Sequence, residues 1–211
     1  MGFWKIIIDI GHTAYMFPLA AAMAVWLVAG GAWKMAWYWC GMFAGGVSIV
    51  ALSKIAYLGW DTGIPSLGFK ALSGHVLCAT AVLPVLAFLV LRCTSPALRA
   101  AGITLGIAIS AGLGLLIVYF NYHALSEAVA SFILGTCISL GFLHFTRTFP
   151  APRASRWSAP LGAMIFAFVF VLKPSVINHK LDDVALHLSG RDRPFEWPKK
   201  LVCKVRSPLN G

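Results

Sequence analysis

Two histidines, one carboxylate and two lysines are the residues of this chain whose types and spacing could do chemistry. Glu127 follows His123 by four positions in the run HALSE, so on a helix the two side chains would stack on one face. A carboxylate placed there accepts a hydrogen bond from one imidazole nitrogen. That bond fixes the tautomer and makes the other nitrogen more basic, as an oriented nucleophile or general base requires. The same residues also read as a capped helix start, because Ser126 and Glu127 open an apolar run. A second cluster is Ser73-Gly74-His75: Ser73 suits an N-cap, and Gly74 lets backbone N–H groups approach an anion at a helix N-terminus. Lys54 and Lys70 are the cations that flank this cluster in sequence. His12 and His144 stand alone and read as interface or helix-end histidines.

The elements that must position these groups follow from the apolar pattern. Apolar residues make up 59% of the 211 positions and Asp, Glu, Lys and Arg only 11%, well short of the usual charged share of a soluble domain. Crossing ~30 Å of hydrocarbon takes about 20 mostly apolar helical residues. Charge-free stretches run from Ile10 to Trp33, Met35 to Ser53, Ala71 to Leu91, Ala100 to Ser126, Ala128 to Thr146 and Trp157 to Leu172. The second continues past Lys54 to Trp60 if that lysine is tolerated. The expectation is an all-α, polytopic integral membrane bundle of about six transmembrane helices over residues 10–172. Residues 1–9 (MGFWKIIID) suit a short interfacial segment, and residues 173–211 form a basic, polar C-terminal tail.

Charge placement gives orientation. Lys34, Arg92, Arg99, Arg147, Arg153 and Arg156 gather at one end of the expected spans, against Lys5, Lys54 and Lys70 at the other. The positive-inside rule makes the arginine-rich end cytoplasmic. Both histidine segments then lie at the opposite, extracytoplasmic face of a membrane, a bacterial inner (plasma) membrane on this reading. The net charge of +10 does not argue for nucleic acid. Much of it sits in the tail, and a basic segment beside a bilayer meets anionic headgroups. Cys40, Cys78, Cys93, Cys137 and Cys203 show no C-x-x-C or zinc spacing, so neither a disulfide nor a metal is expected.

Polar groups at membrane depth are costly and are read as functional by default. Together the two histidine segments resemble the phosphatidic acid phosphatase type 2 superfamily of lipid phosphate phosphatases. The family pattern is K-x6-R-P, then P-S-G-H, then S-R-x5-H-x3-D. Here Lys54 opens the first motif, Leu72-Ser73-Gly74-His75 stands for the second, and His123-x3-Glu127 ends the third. The resemblance implies that His123 attacks phosphorus to form a phosphohistidine, that Glu127 orients it, and that His75 protonates the leaving alkoxide. Ser73, Gly74 and Lys54 would hold the phosphoryl oxygens, with no cofactor and no metal. It also implies a lipid phosphate as substrate, with membrane lipids as the other partners. The chain is a divergent case. Asp61 and Thr62 stand where the first motif has Arg-Pro, and Leu116 and Ile117 stand where the third has Ser-Arg.

Arginine's bidentate grip on phosphate has no counterpart in isoleucine. Three readings therefore stay open: Lys70 supplies the missing charge, the substrate differs from a simple lipid monophosphate, or the chain binds a lipid phosphate without hydrolysing it. From a different class, His75 and His123 could ligate a haem across the bundle. A transporter would instead place its polar groups near the midplane.

Overall fold

Glycine, proline and asparagine punctuate the apolar chain and set the helix limits. The computed structural model describes residues 13–149, 184, 186–190 and 195. It contains α1 (Thr13–Ala29), α2 (Trp33–Trp60), α3 (Gly74–Val90), α4 (Pro96–Tyr119) and α5 (Leu125–Thr146), with a short 3₁₀ turn at Pro65–Leu67. The described elements are thus helical, and α2, α4 and α5 are each long and apolar enough to cross a membrane. The apolar helices α1 and α3 are shorter, at 17 residues each. The expected sixth stretch, the N-terminal segment 1–9 and most of the tail lie outside the described residues.

Five of the expected stretches coincide with helices, but their edges differ for local reasons. α2 runs unbroken through Lys34 and Lys54, because a lysine stem can lie along apolar surface while its ammonium reaches the polar edge. α4 begins at Pro96, behind a Ser95 N-cap whose Oγ accepts the Leu98 N–H at 3.3 Å. It ends at Tyr119 rather than running to Ser126. There Asn121 takes a left-handed conformation (φ 60°). The Tyr122 N–H donates to Ile117 O at 3.0 Å and the Asn121 N–H to Val118 O at 2.9 Å, the paired bonds of a Schellman ending. Gly31 (φ 75°) closes α1 in the same way, through Ala32 N–H to Leu27 O at 2.8 Å and Gly31 N–H to Val28 O at 2.9 Å.

α3 sits at the centre, with most of its side chains buried, and packs on each of the other four helices. Two glycines let its neighbours come close. A Cβ on Gly106 of α4 would lie 2.9 Å from the Pro84 nitrogen, and one on Gly135 of α5 would lie 2.9 Å from Leu77 O. These contacts are to backbone, which cannot step aside as a side chain tip can. Gly106→Ala and Gly135→Ala are each expected to cost about 1–3 kcal/mol through overpacking and to lower the Tm of the detergent-solubilised protein. Gly112→Ala, which meets nothing within 4 Å, should leave it unchanged.

The main core runs along α3 from Leu77 to Leu89, and Trp39 of α2 anchors its packing. Its indole N–H donates to Ala20 O at 2.9 Å, and its ring packs on Phe43 (5.3 Å between centroids) and Phe142 (5.7 Å). Hydroxyls inside the bundle bond back along their own helices, as Thr80 does to Val76 O and Ser110 to Gly106 O, both at 2.8 Å. The outward surface is the reverse of a soluble protein's. Trp37, Leu52, Leu105, Leu115 and Ile133 are all more than half exposed, so apolar side chains clothe the outside as well as the core.

Candidate active site

The site forms where the 61–73 connection and the 120–124 turn meet the starts of α3 and α5. In the connection, Ile64 and Phe69 pair across a tight loop, with N–H to O distances of 2.7 and 3.2 Å, and Gly68 (φ 64°) turns the chain. The segment that follows is held by three main-chain donors on three side chains. Lys70 N–H donates to Glu127 Oε1 at 2.8 Å, Leu72 N–H to Ser53 Oγ at 3.1 Å, and Ser73 N–H to Ser131 Oγ at 2.7 Å. Ser131 in turn donates to Glu127 O at 2.7 Å, and Ser126 Oγ donates to Leu67 O at 2.9 Å. The entry to α3, and with it His75, is therefore fixed by residues from α2 and α5.

His123 occupies the turn that the Schellman ending of α4 creates. It precedes α5, so its contact with Glu127 crosses the helix start instead of running along one helical face as the spacing suggests. The His123 Nδ1 to Glu127 Oε2 distance is 2.6 Å. The same oxygen accepts the Ala124 N–H at 3.2 Å, one half of a capping box, so the capping reading and the oriented-imidazole reading hold together. An ionised carboxylate only accepts, so in neutral imidazole the proton lies on Nδ1 and the lone pair on Nε2. Glu127 is hidden (5% side-chain exposure) whereas His123 is reachable (26%). The arrangement suits a nucleophile open to substrate over a carboxylate shielded from water.

The ring of half-buried His75, in the first turn of α3, lies 6.4 Å from that of His123, centroid to centroid, and is tilted by 56°. Ser73 occupies the N-cap position of α3 but makes no capping bond; its Oγ is buried and without a hydrogen-bond partner. Gly74 is the first residue of α3, among the orphan N–H groups of the helix start. A Cβ there would meet Thr13 Cγ2 at an ordinary 3.5 Å, so close packing does not explain the glycine. Lys54 lies half-buried in the last part of α2. Lys70 is exposed, and its main-chain amide is the group it gives to Glu127. Asp61 caps the end of α2 in a left-handed conformation (φ 52°) and is exposed, while Ile117 is buried against Val76 and Ala128. His144 is exposed at the far end of α5, and His12 lies outside the described residues.

Ser53 and Ser131 escaped sequence reasoning. A lone serine in an apolar helix is ordinarily satisfied by its own backbone, and both do donate in that way, Ser53 to Val50 O at 2.8 Å. The available signal was only that Ser131 lies one turn beyond Glu127. Their importance differs from that of Ser73 in a measurable way. Ser131→Ala strands the buried Ser73 N–H and is expected to cost about 1–3 kcal/mol in thermal or denaturant unfolding. Ser73→Ala removes a buried hydroxyl that has no partner, so stability should hold or rise.

Comparison with known proteins adds a family. A Klebsiella pneumoniae protein described as "Uncharacterized 22.5 kDa protein in cps region" is 30% identical over 202 residues, covering 91% of this chain and 94% of that protein. The chain belongs to its family. No family model matches, and no solved structure matches. The shared length spans nearly the whole of both proteins.

Proposed function

We propose that this protein is an integral membrane phosphatase of about six crossings that hydrolyses a phosphomonoester or pyrophosphate bond on an amphiphilic lipid. The observation that carries the reading is an imidazole held 2.6 Å from a shielded carboxylate, with a second imidazole 6.4 Å away between ring centres. His123 Nε2 attacks phosphorus as the P–O bond to the lipid breaks, and His75 gives its proton to the leaving oxygen. Water then attacks the phosphohistidine, His75 takes up a proton, and the P–N bond breaks to release phosphate. Phosphoryl transfer of this kind depends mainly on positioning and on neutralising the equatorial oxygens. The orphan N–H groups at the start of α3, the unpartnered Ser73 hydroxyl and the Lys54 and Lys70 ammonium groups are the candidates for that task.

The setting favours a lipid. Both imidazoles lie where apolar helices end, the depth at which a headgroup presents its phosphate. Lys34, Arg92, Arg99 and Arg147 lie at the other end, which supports a cytoplasmic placement of that end and a reaction on the extracytoplasmic face of a bacterial inner membrane. The loss of both motif arginines, with Ile117 inside an apolar cluster, favours a second reading in which lipid phosphate is bound but not cleaved.

The deciding experiment measures phosphate release from phosphatidate, phosphatidylglycerophosphate and undecaprenyl pyrophosphate by the detergent-solubilised full chain. Release that disappears in His123→Ala supports the enzyme. Equal background release from both proteins, with lipid phosphate still bound, replaces it with the second reading. An absorbance scan of the same sample addresses the haem alternative, since a Soret band would overturn both.

A further inference from the structure

We propose that the cleft at the opposite end of the bundle, between the end of α3, the start of α4 and the end of α5, binds the phosphate of an anionic phospholipid headgroup. The cleft measures about 310 Å³ and is lined by Arg92, Arg99, Arg147 and His144 above Phe88, Ile103 and Leu143. Its floor is apolar, suited to the glycerol and first methylenes of a lipid, and its rim is cationic.

The cations differ in how they are employed. Arg92 is a clamp: Nη2 donates to Thr146 O at 3.0 Å and to Phe149 O, neutralising the carbonyl end of α5, while the guanidinium lies 5.0 Å from the Phe88 ring centre. Arg99 donates through Nη1 to Arg92 O at 3.3 Å, which brings two like charges together. Burial, and then the Arg99 cation, push the Arg92 guanidinium below its ordinary pKa. Arg99 also stands in the first turn of α4, where the helix end is itself positive and disfavours a cation. Arg147 is exposed at the end of α5 and has no hydrogen bond or ion pair among the described residues.

No described carboxylate offsets this charge, because Asp61 and Glu127 both belong to the histidine end. Among the described residues these three guanidiniums have no acidic partner, and one of them stands at a positive helix terminus, an arrangement that favours a bound anion. At this depth beside apolar helices the abundant anion is a phospholipid phosphate, whose two non-bridging oxygens suit the guanidinium fork.

Native mass spectrometry of the full chain exchanged into mixed micelles tests this, with phosphatidylglycerol and phosphatidylcholine as probes. Phosphatidylglycerol is a phosphodiester, so its retention does not depend on the phosphatase reading. The wild type should retain it over phosphatidylcholine by about tenfold, and Arg99→Gln/Arg147→Gln should remove that preference. Lys34→Gln, a cation at the same end outside the cleft, should keep it, as should Arg99→Lys/Arg147→Lys in part. Absence of any preference in the wild type, or an unchanged preference in the double glutamine variant, would overturn the proposal. Equal loss in Lys34→Gln would replace a site with a general surface field. Displacement by millimolar inorganic phosphate would reassign the cleft to free phosphate.

Discussion

His123→Ala is expected to lower phosphate release to the uncatalysed background, a loss of roughly 10⁴-fold or more, because no covalent intermediate can form without the imidazole. The loss should fall on kcat, since the proposed oxygen-binding groups at the start of α3 remain. The fold should survive: His123 lies in a turn, is partly exposed, and contributes no main-chain bond to the Schellman ending that shapes it. The complementary result concerns His75→Ala. With an activated leaving group such as p-nitrophenolate, which needs little proton transfer, this variant should still phosphorylate His123. The intermediate would then accumulate as phosphohistidine, visible by ³¹P NMR. Alkyl lipid substrates should turn over poorly in the same variant. Trapped phosphate on a residue other than His123 would reverse the assignment of roles.

Glu127→Gln should be nearly as severe, with a fall of about 10³–10⁴-fold in kcat, although the side chain keeps its size. The carboxylate faces three donors, His123 Nδ1, Ala124 N–H and Lys70 N–H. An amide offers one accepting oxygen and one donating nitrogen, so one orientation forces an N–H against Lys70. The other forces it against Ala124 and turns Nδ1 into the acceptor, which moves the proton to Nε2 and removes the nucleophilic lone pair. Glu127→Asp retains both oxygens on a shorter arm and should keep a measurable part of the activity. The readout is kcat for phosphate release together with the ¹⁵N shifts of the imidazole, which report the tautomer directly. Unchanged shifts with unchanged kcat in Glu127→Gln would show that the carboxylate serves only the helix start.

Much of this was legible in the sequence because bilayer-length apolar runs and their charged edges are coarse features. The helical class, the positions of five stretches and the arrival of Ser73, His75, His123 and Glu127 at one end all follow from them. Finer limits were hidden. The end of α4 rests on one asparagine adopting a left-handed conformation, which the surrounding apolar residues do not announce. The His123–Glu127 contact matched the spacing but not the expected geometry, since a turn residue and a third-position carboxylate meet at the same four-residue separation as two helical neighbours. The charge of Lys70 was one of three open readings for the missing arginines; that its main-chain amide also reaches Glu127 had no signal in the sequence, because backbone donors carry no residue-type information. The same holds for Ser53 and Ser131, whose partners are amides of a distant loop.

One carboxylate thus ties together chain segments 57 positions apart as well as its own neighbours. Closing so long a loop carries an entropic cost that grows only slowly with length, so the gain of docking is concentrated in a few bonds at its end. When the 61–73 connection lifts away, Glu127 loses a donor and the start of α3 loses the anchors that aim His75. Docking of the connection and the aim of both imidazoles thus share the same few hydrogen bonds, so a change that weakens one is expected to weaken the other.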